Sequence, residues 1–150
     1  MRIRDLYTPD ARTARPEQSL AEAAGAMIAS HVGSLVVVEG DGDPGRRPIG
    51  ILTDRDIVRG QLRLAADLFC LTVGDVMTAH PLTLPIHLGL MEAIEAMHAR
   101  GVRRAPAVDG AGNLVGMVTL DDLLPAVARE LGDLTALMGG QARRERTLVA

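Results

Sequence analysis

The chain has 150 residues, 47% hydrophobic and 23% charged, with 16 basic side chains against 19 acidic ones and a net charge of −3. That length allows one ordinary domain or two very small units sharing a core, and the acidic balance excludes a protein held on nucleic acid by a general basic field. The only aromatics are Tyr7 and Phe69, which excludes aromatic base-stacking platforms.

In chain order, the start Met1-Arg2-Ile3-Arg4-Asp5 carries no apolar segment of the kind that directs secretion. No run approaches the roughly 18 apolar residues that span a bilayer. Ser19-x-x-Glu22 is a capping box that opens a helix with apolar residues at Leu20, Ala23, Ala24, Met27 and Ile28. Ser34 to Val38 reads as a buried strand, followed by a Gly/Asp turn and a second strand, Pro48 to Leu52; the short connection predicts a hairpin. Gly40 to Gly45 matches G-x-G-x-x-G, but Pro44, Arg46, Arg47 and Pro48 lead into a strand where a dinucleotide fingerprint needs a helix, so it is read as a loop. Thr53-Asp54-Arg55-Asp56 opens the next helix, and Gly60 to Leu71 is apolar enough to be helix packed on the rest.

The same order then returns. At an offset of 70, Ile3 to Thr8 lies on Val73 to Thr78, Thr13 on Thr83, Leu20 on Leu90, Met27 on Met97 and Val38 on Val108. The offset then drops to 66, aligning Gly50 with Gly116, Thr53 with Thr119 and Asp56 with Asp122. The chain is a duplication whose first copy has four extra residues in one loop. Each copy is expected to run β-α-β-β-α, with boundaries at 1–68 and 69–138. Copies of roughly 60 residues are marginal alone, so a tandem pair with pseudo-two-fold symmetry in the α+β class is expected. Pro125 predicts a kink or break in the last helix, whose apolar stripe (Leu124, Val127, Ala128, Leu131, Leu134, Met138) covers either this chain's core or a second chain. The tail from 139 to 150 has no apolar periodicity and is expected to be frayed.

The segments Gly50 to Asp56 and Gly116 to Asp122 bear the strongest chemical signal. Thr followed three residues later by Asp is a capping box and needs no ligand. The same geometry offers a helix N-terminus to phosphate and a carboxylate to the two hydroxyls of a ribose. His31, His80, His87 and His98 lack the spacing of a metal motif, and Cys70 has no cysteine partner, which fits a reducing cytoplasm. No nucleophile elbow, P-loop or HExxH motif occurs.

These duplicated Gly-x-x-Thr-x-x-Asp segments resemble the cystathionine-β-synthase (CBS) domain pair, or Bateman module, over about residues 3 to 130. Asp75-Val76-Met77-Thr78, the helix start at Ser19 and Gly101 to Val108 support the resemblance. It implies two sheets packed about a pseudo-two-fold axis with two clefts between the copies, an adenine nucleotide or S-adenosylmethionine as ligand, and a homodimer. By position it implies Asp56 and Asp122 as ribose-binding carboxylates and Thr53 and Thr119 near sugar or phosphate. Thr13 and Thr83 would line the adenine side, and Val32, Gly33 and Val102 would contact the ring. Arg103 and Arg104 would meet phosphate, or else form a solvated edge, and the first copy has Gly33 and Ser34 in their place. Arg55 supplies compensating charge or is a solvated helix residue. The expected function is a stand-alone regulatory module, not an enzyme, which needs no cofactor or metal and signals to an effector protein. A nucleotide-independent scaffold with empty clefts is the alternative.

Overall fold

The structure is a computed structural model describing residues 1–40 and 45–148, with only the backbone described over 139–148. The tip of the Gly40 to Gly45 loop, residues 41–44, therefore lies outside the described residues. Among them no helix is long and apolar enough to cross a membrane.

A 3-10 turn (Ile3–Asp5) leads to two very short strands, β1 (Thr8–Pro9) and β2 (Thr13–Ala14), then helix α1 (Leu20–Ser30), the hairpin β3 (Ser34–Glu39) and β4 (Arg47–Thr53), and helix α2 (Asp54–Leu64). The second half repeats this with α3 (Val73–Val76), β5 (Thr78–Ala79), β6 (Leu84–Pro85), α4 (Leu90–Arg100), β7 (Arg104–Val108), β8 (Leu114–Thr119) and α5 (Leu120–Leu148). The predicted hairpins form, both antiparallel, each with a bulge at matching places, Val37/Val38 and Ala107/Val108. Both predicted helix starts are capped: Ser19 Oγ accepts from the Glu22 N–H, and the Gly89 N–H donates to Glu92.

The strand order shows what the local patterns do not. One sheet runs β2-β3-β4-β5 and the other β1-β8-β7-β6, so each is completed by a strand from the opposite half. Each half therefore begins with a strand not included in the expected β-α-β-β-α order. The exchange reaches the cores. Ile3 is buried among Leu84, Leu90, Ala93 and Met97 of the second half, while Leu71 and Val73 are buried among Leu20, Ala23 and Met27 of the first. Equivalent backbone bonds seat the two starts: Ile3 and Arg4 donate to Leu88 and Ile86, and Val73 and Gly74 donate to Gln18 and Pro16. A third cluster, Val36, Val38 and Leu114, joins the two sheets.

The motif glycines permit the exchange. A Cβ on Gly116 would fall onto the Thr8 carbonyl oxygen and the Tyr7 ring, and one on Gly50 onto the Met77 sulfur. The glycine at each site lets the incoming strand lie against the sheet.

Two expectations are corrected. The segment Gly60 to Leu71 is not one helix: α2 stops at Leu64, Ala65 turns left-handed at φ 50°, and Asp67 accepts the Phe69 and Cys70 N–H groups in a tight turn. Helix α5 continues through Pro125, so the expected kink or break is not a break; the proline, which has no N–H, forfeits the bond to the Asp121 carbonyl. The helix spans to Leu148, over a stretch (Gln141 to Arg146) of good helix formers without an apolar stripe.

Candidate functional site

Where β4 ends and α2 begins, the Thr53 N–H and hydroxyl both donate to Asp56 Oδ2, at 2.9 and 2.7 Å, and the Asp56 N–H donates back to Thr53 Oγ1 at 3.1 Å. At the second copy the Thr119 N–H and hydroxyl donate to Asp122 Oδ2 at 2.8 and 2.6 Å. The capping box is complete at Thr53 and Asp56, and at Thr119 and Asp122 the carboxylate half of it is formed. Both caps use Oδ2, leaving Oδ1 of each half-buried carboxylate outside the cap.

The helix end itself is less open than the sequence implies. In α2 the Asp54 N–H donates to the Gly33 carbonyl, the Arg55 N–H to Asp54 Oδ1 and the Asp56 N–H to Thr53 Oγ1. The first turn of α2 thus has its donors engaged, and a phosphate at this end would be met by side chains.

Because the edge strands cross over, each cap faces the opening segment of the other half. One cleft, about 530 Å³, is lined by Thr8 to Arg12 and Val32 to Ser34 from the first half and by Arg103, Arg104, Met117 and Thr119 to Asp122 from the second. The other, about 570 Å³, is lined by Gly33, Ile51, Thr53 to Asp56 and Arg59 from the first half and by Thr78 to Leu82 and Arg100 to Arg104 from the second. Most of the two linings correspond under the offsets of the repeat, while Arg59, Arg100 and Gly101 line the second cleft without a counterpart in the first. Met117 in one cleft answers Ile51 in the other, and Val32 answers Val102, which gives each an aliphatic wall.

Of the residues named from sequence, Asp122, Thr119 and Val32 come together in the first cleft and Asp56, Thr53 and Val102 in the second. Gly33, Arg103 and Arg104 line both. They lie where the clefts meet, and there Arg104 donates a 2.6 Å hydrogen bond to Ser34, its own counterpart in the repeat. Thr13 and Thr83 are not brought to either cleft. After Arg12, whose carbonyl accepts the Val36 N–H, the chain passes into β2 alongside β3, carrying Thr13 away; Thr83 directly precedes β6 in the same manner. The opening positions that do line the clefts are Thr8 to Arg12 and Thr78 to Leu82. The repeated Thr8 and Thr78 were visible in the alignment of the halves, but nothing local placed them beside the opposite cap.

The model of the CBS domain matches residues 3–63 and 73–129. A CBS domain-containing protein of Bacillus subtilis, YhcV, is 35% identical over 121 residues, which are 81% of each chain. An inosine-5′-monophosphate dehydrogenase from Thermoplasma acidophilum is 31% identical over 81% of this chain and 22% of its own. The chain spans less than two thirds of the length of several of the curated relatives it matches, 60% of one and 22% to 24% of three others. Among solved structures, a CBS domain protein from Pyrobaculum aerophilum complexed with AMP superposes with a TM-score of 0.74 at 24% identity, covering 89% of this chain and 99% of that one.

Proposed function

The chain belongs to the CBS domain family, and from that premise we propose that it is a regulatory module that binds an adenine nucleotide in its inter-repeat clefts and has no catalysis of its own. The observation that carries this reading is the pairing in each cleft of a cap carboxylate from one half with the opening strand of the other. A ligand there touches both halves at once and so is linked to their relative placement. Asp56 and Asp122 offer Oδ1 to the ribose hydroxyls, and Ile51 with Val102, or Met117 with Val32, grips the adenine ring. Arg103 and Arg104 meet phosphate from the junction. The AMP named for the Pyrobaculum relative is consistent with this ligand class.

Binding that differs by about 1–3 kcal/mol between two arrangements of the halves is enough for a partner protein to read. The module works in the cytoplasm as a homodimer and passes its state to an effector protein. S-adenosylmethionine is the competing ligand: its sulfonium lacks phosphate and would favour the cleft richer in aspartate.

The test is thermal unfolding of the full chain with AMP, ADP, ATP and S-adenosylmethionine. Saturation at 100 times the dissociation constant adds about 2.7 kcal/mol of stability. A second reading, a scaffold that keeps its clefts empty, is favoured by the fact that both carboxylates are already employed as caps. Absence of a shift with all four compounds would favour it over the nucleotide reading.

A further inference from the structure

The two clefts are close in volume, about 530 and 570 Å³, and differ in charge. Five arginines, Arg55, Arg59, Arg100, Arg103 and Arg104, line the cleft at the α2 cap against two aspartates, Asp54 and Asp56. The cleft at the α5 cap has three arginines, Arg12, Arg103 and Arg104, against three aspartates, Asp10, Asp121 and Asp122. Arg103 and Arg104 are common to both, so the difference comes from residues belonging to one cleft alone. Under the repeat, Arg55 and Arg59 stand where the second copy has Asp121 and Pro125, and Arg100 and His80 where the first has Ser30 and Asp10.

These cationic side chains are not consumed by the protein. Among the described residues, none of the five guanidinium groups enters an ion pair, and of the five only Arg104 donates a side-chain hydrogen bond, to Ser34. Room for a longer anion is also present. A groove of about 660 Å³ between α2 and Val76 to Thr78 shares Asp56, Arg59 and Thr78 with this cleft and ends at Arg63, one helical turn beyond Arg59. The donors of the α2 first turn are engaged internally, so the guanidinium groups are what an anion would meet.

We propose that the clefts sort their ligands by charge, the α2 cleft being the site for a nucleoside polyphosphate and the α5 cleft admitting only ligands of low charge. This rests on the nucleotide reading above and adds which cleft takes which class. Arg55 and Arg59 set the preference from the helix, with Arg100 facing them from the end of α4.

The experiment is isothermal titration of the full chain with AMP, ATP and inorganic tripolyphosphate, at low and at physiological salt. The variants are Arg55→Gln/Arg59→Gln, on exposed positions that leave the caps intact, and Arg12→Gln in the other cleft. ATP is expected to bind about tenfold more tightly than AMP at low salt, by a charge-assisted contact or more, with the gap narrowing as salt rises. Arg55→Gln/Arg59→Gln should remove most of that gap, and Arg12→Gln much less of it. Equal affinities for AMP and ATP, or a gap that Arg12→Gln reduces as much as the pair does, overturns the proposal while leaving nucleotide binding in place. Tripolyphosphate binding that the arginine pair abolishes, with no binding of either nucleotide, upholds the polyanion site and defeats the nucleotide reading. Silence with all three defeats both.

Discussion

At Asp122 the proposed function asks two tasks of one carboxylate, and its two oxygens can divide them. Oδ2 closes the helix start through the Thr119 N–H and hydroxyl, while Oδ1 is left to the cleft. Asp122→Ala is therefore expected to cost about 1 kcal/mol of stability as a lost cap and, separately, about tenfold or more in nucleotide affinity as a lost charge-assisted contact. Chemical denaturation and titration measure the two effects independently; full affinity in a folded Asp122→Ala protein would exclude the ribose role. Asp75 repeats the cap without a cleft. Hydrogen bonds from the Thr72 N–H and then its hydroxyl hold this carboxyl below its ordinary value of 3.8. A lowered folded-state pKa means that the stabilisation is complete above the ordinary carboxylate range and drains away as the pH falls through the lowered value. Melting temperatures of the wild type and Asp75→Asn should thus differ near neutrality and converge below 3.8. A difference that persists unchanged into acid would show that the carboxylate charge is not what the cap uses.

Elements whose signals are local could be read directly from the chain. The caps at Ser19, Thr53 and Thr119, the two hairpins and the apolar faces of α1 and α4 each follow from residues within a few positions of one another. Strands β1 and β5 have two residues each, too few to show a period, and their pairing spans the chain: Pro9 with Gly116, and Gly50 with Ala79. That is why the clefts were expected to use Thr13 and Thr83 when the lining comes from Thr8 to Arg12 and Thr78 to Leu82. The internal repeat pointed to two equivalent clefts, and the crossing of the edge strands decides which residues line them. Gly116 is the point where the crossing is most exposed to damage. Gly116→Ala sets a methyl against a backbone carbonyl and a ring, and overpacking of this kind costs about 1–3 kcal/mol. Gly50→Ala meets chiefly the flexible Met77 side chain and should cost less. Denaturant midpoints of the two variants make the comparison; equal losses would show that the carbonyl contact is not decisive.

On the scale of the molecule, α5 settles one question that its stripe left open. Leu123 and Ala126 enter the core, but Leu124, Leu131 and Leu134 are 57%, 60% and 60% exposed and Met138 is 73% exposed. The stripe from Leu124 onward therefore does not cover this chain's own core. Burial in a homodimer would remove this surface from water, and Leu131→Arg/Leu134→Arg should then yield a monomer in light scattering with the far-ultraviolet spectrum preserved. An unchanged mass would place the subunit contact elsewhere. The exchanged strands have a last consequence for how such a protein can be divided. A piece comprising residues 1–68 would lack β5 beside β4, would strand β1 without β8, and would leave Ile3 with no hydrophobic seat. Expressed alone it should stay unfolded or recover its missing edges from another copy of itself, so the two halves, once fused, have become mutually indispensable.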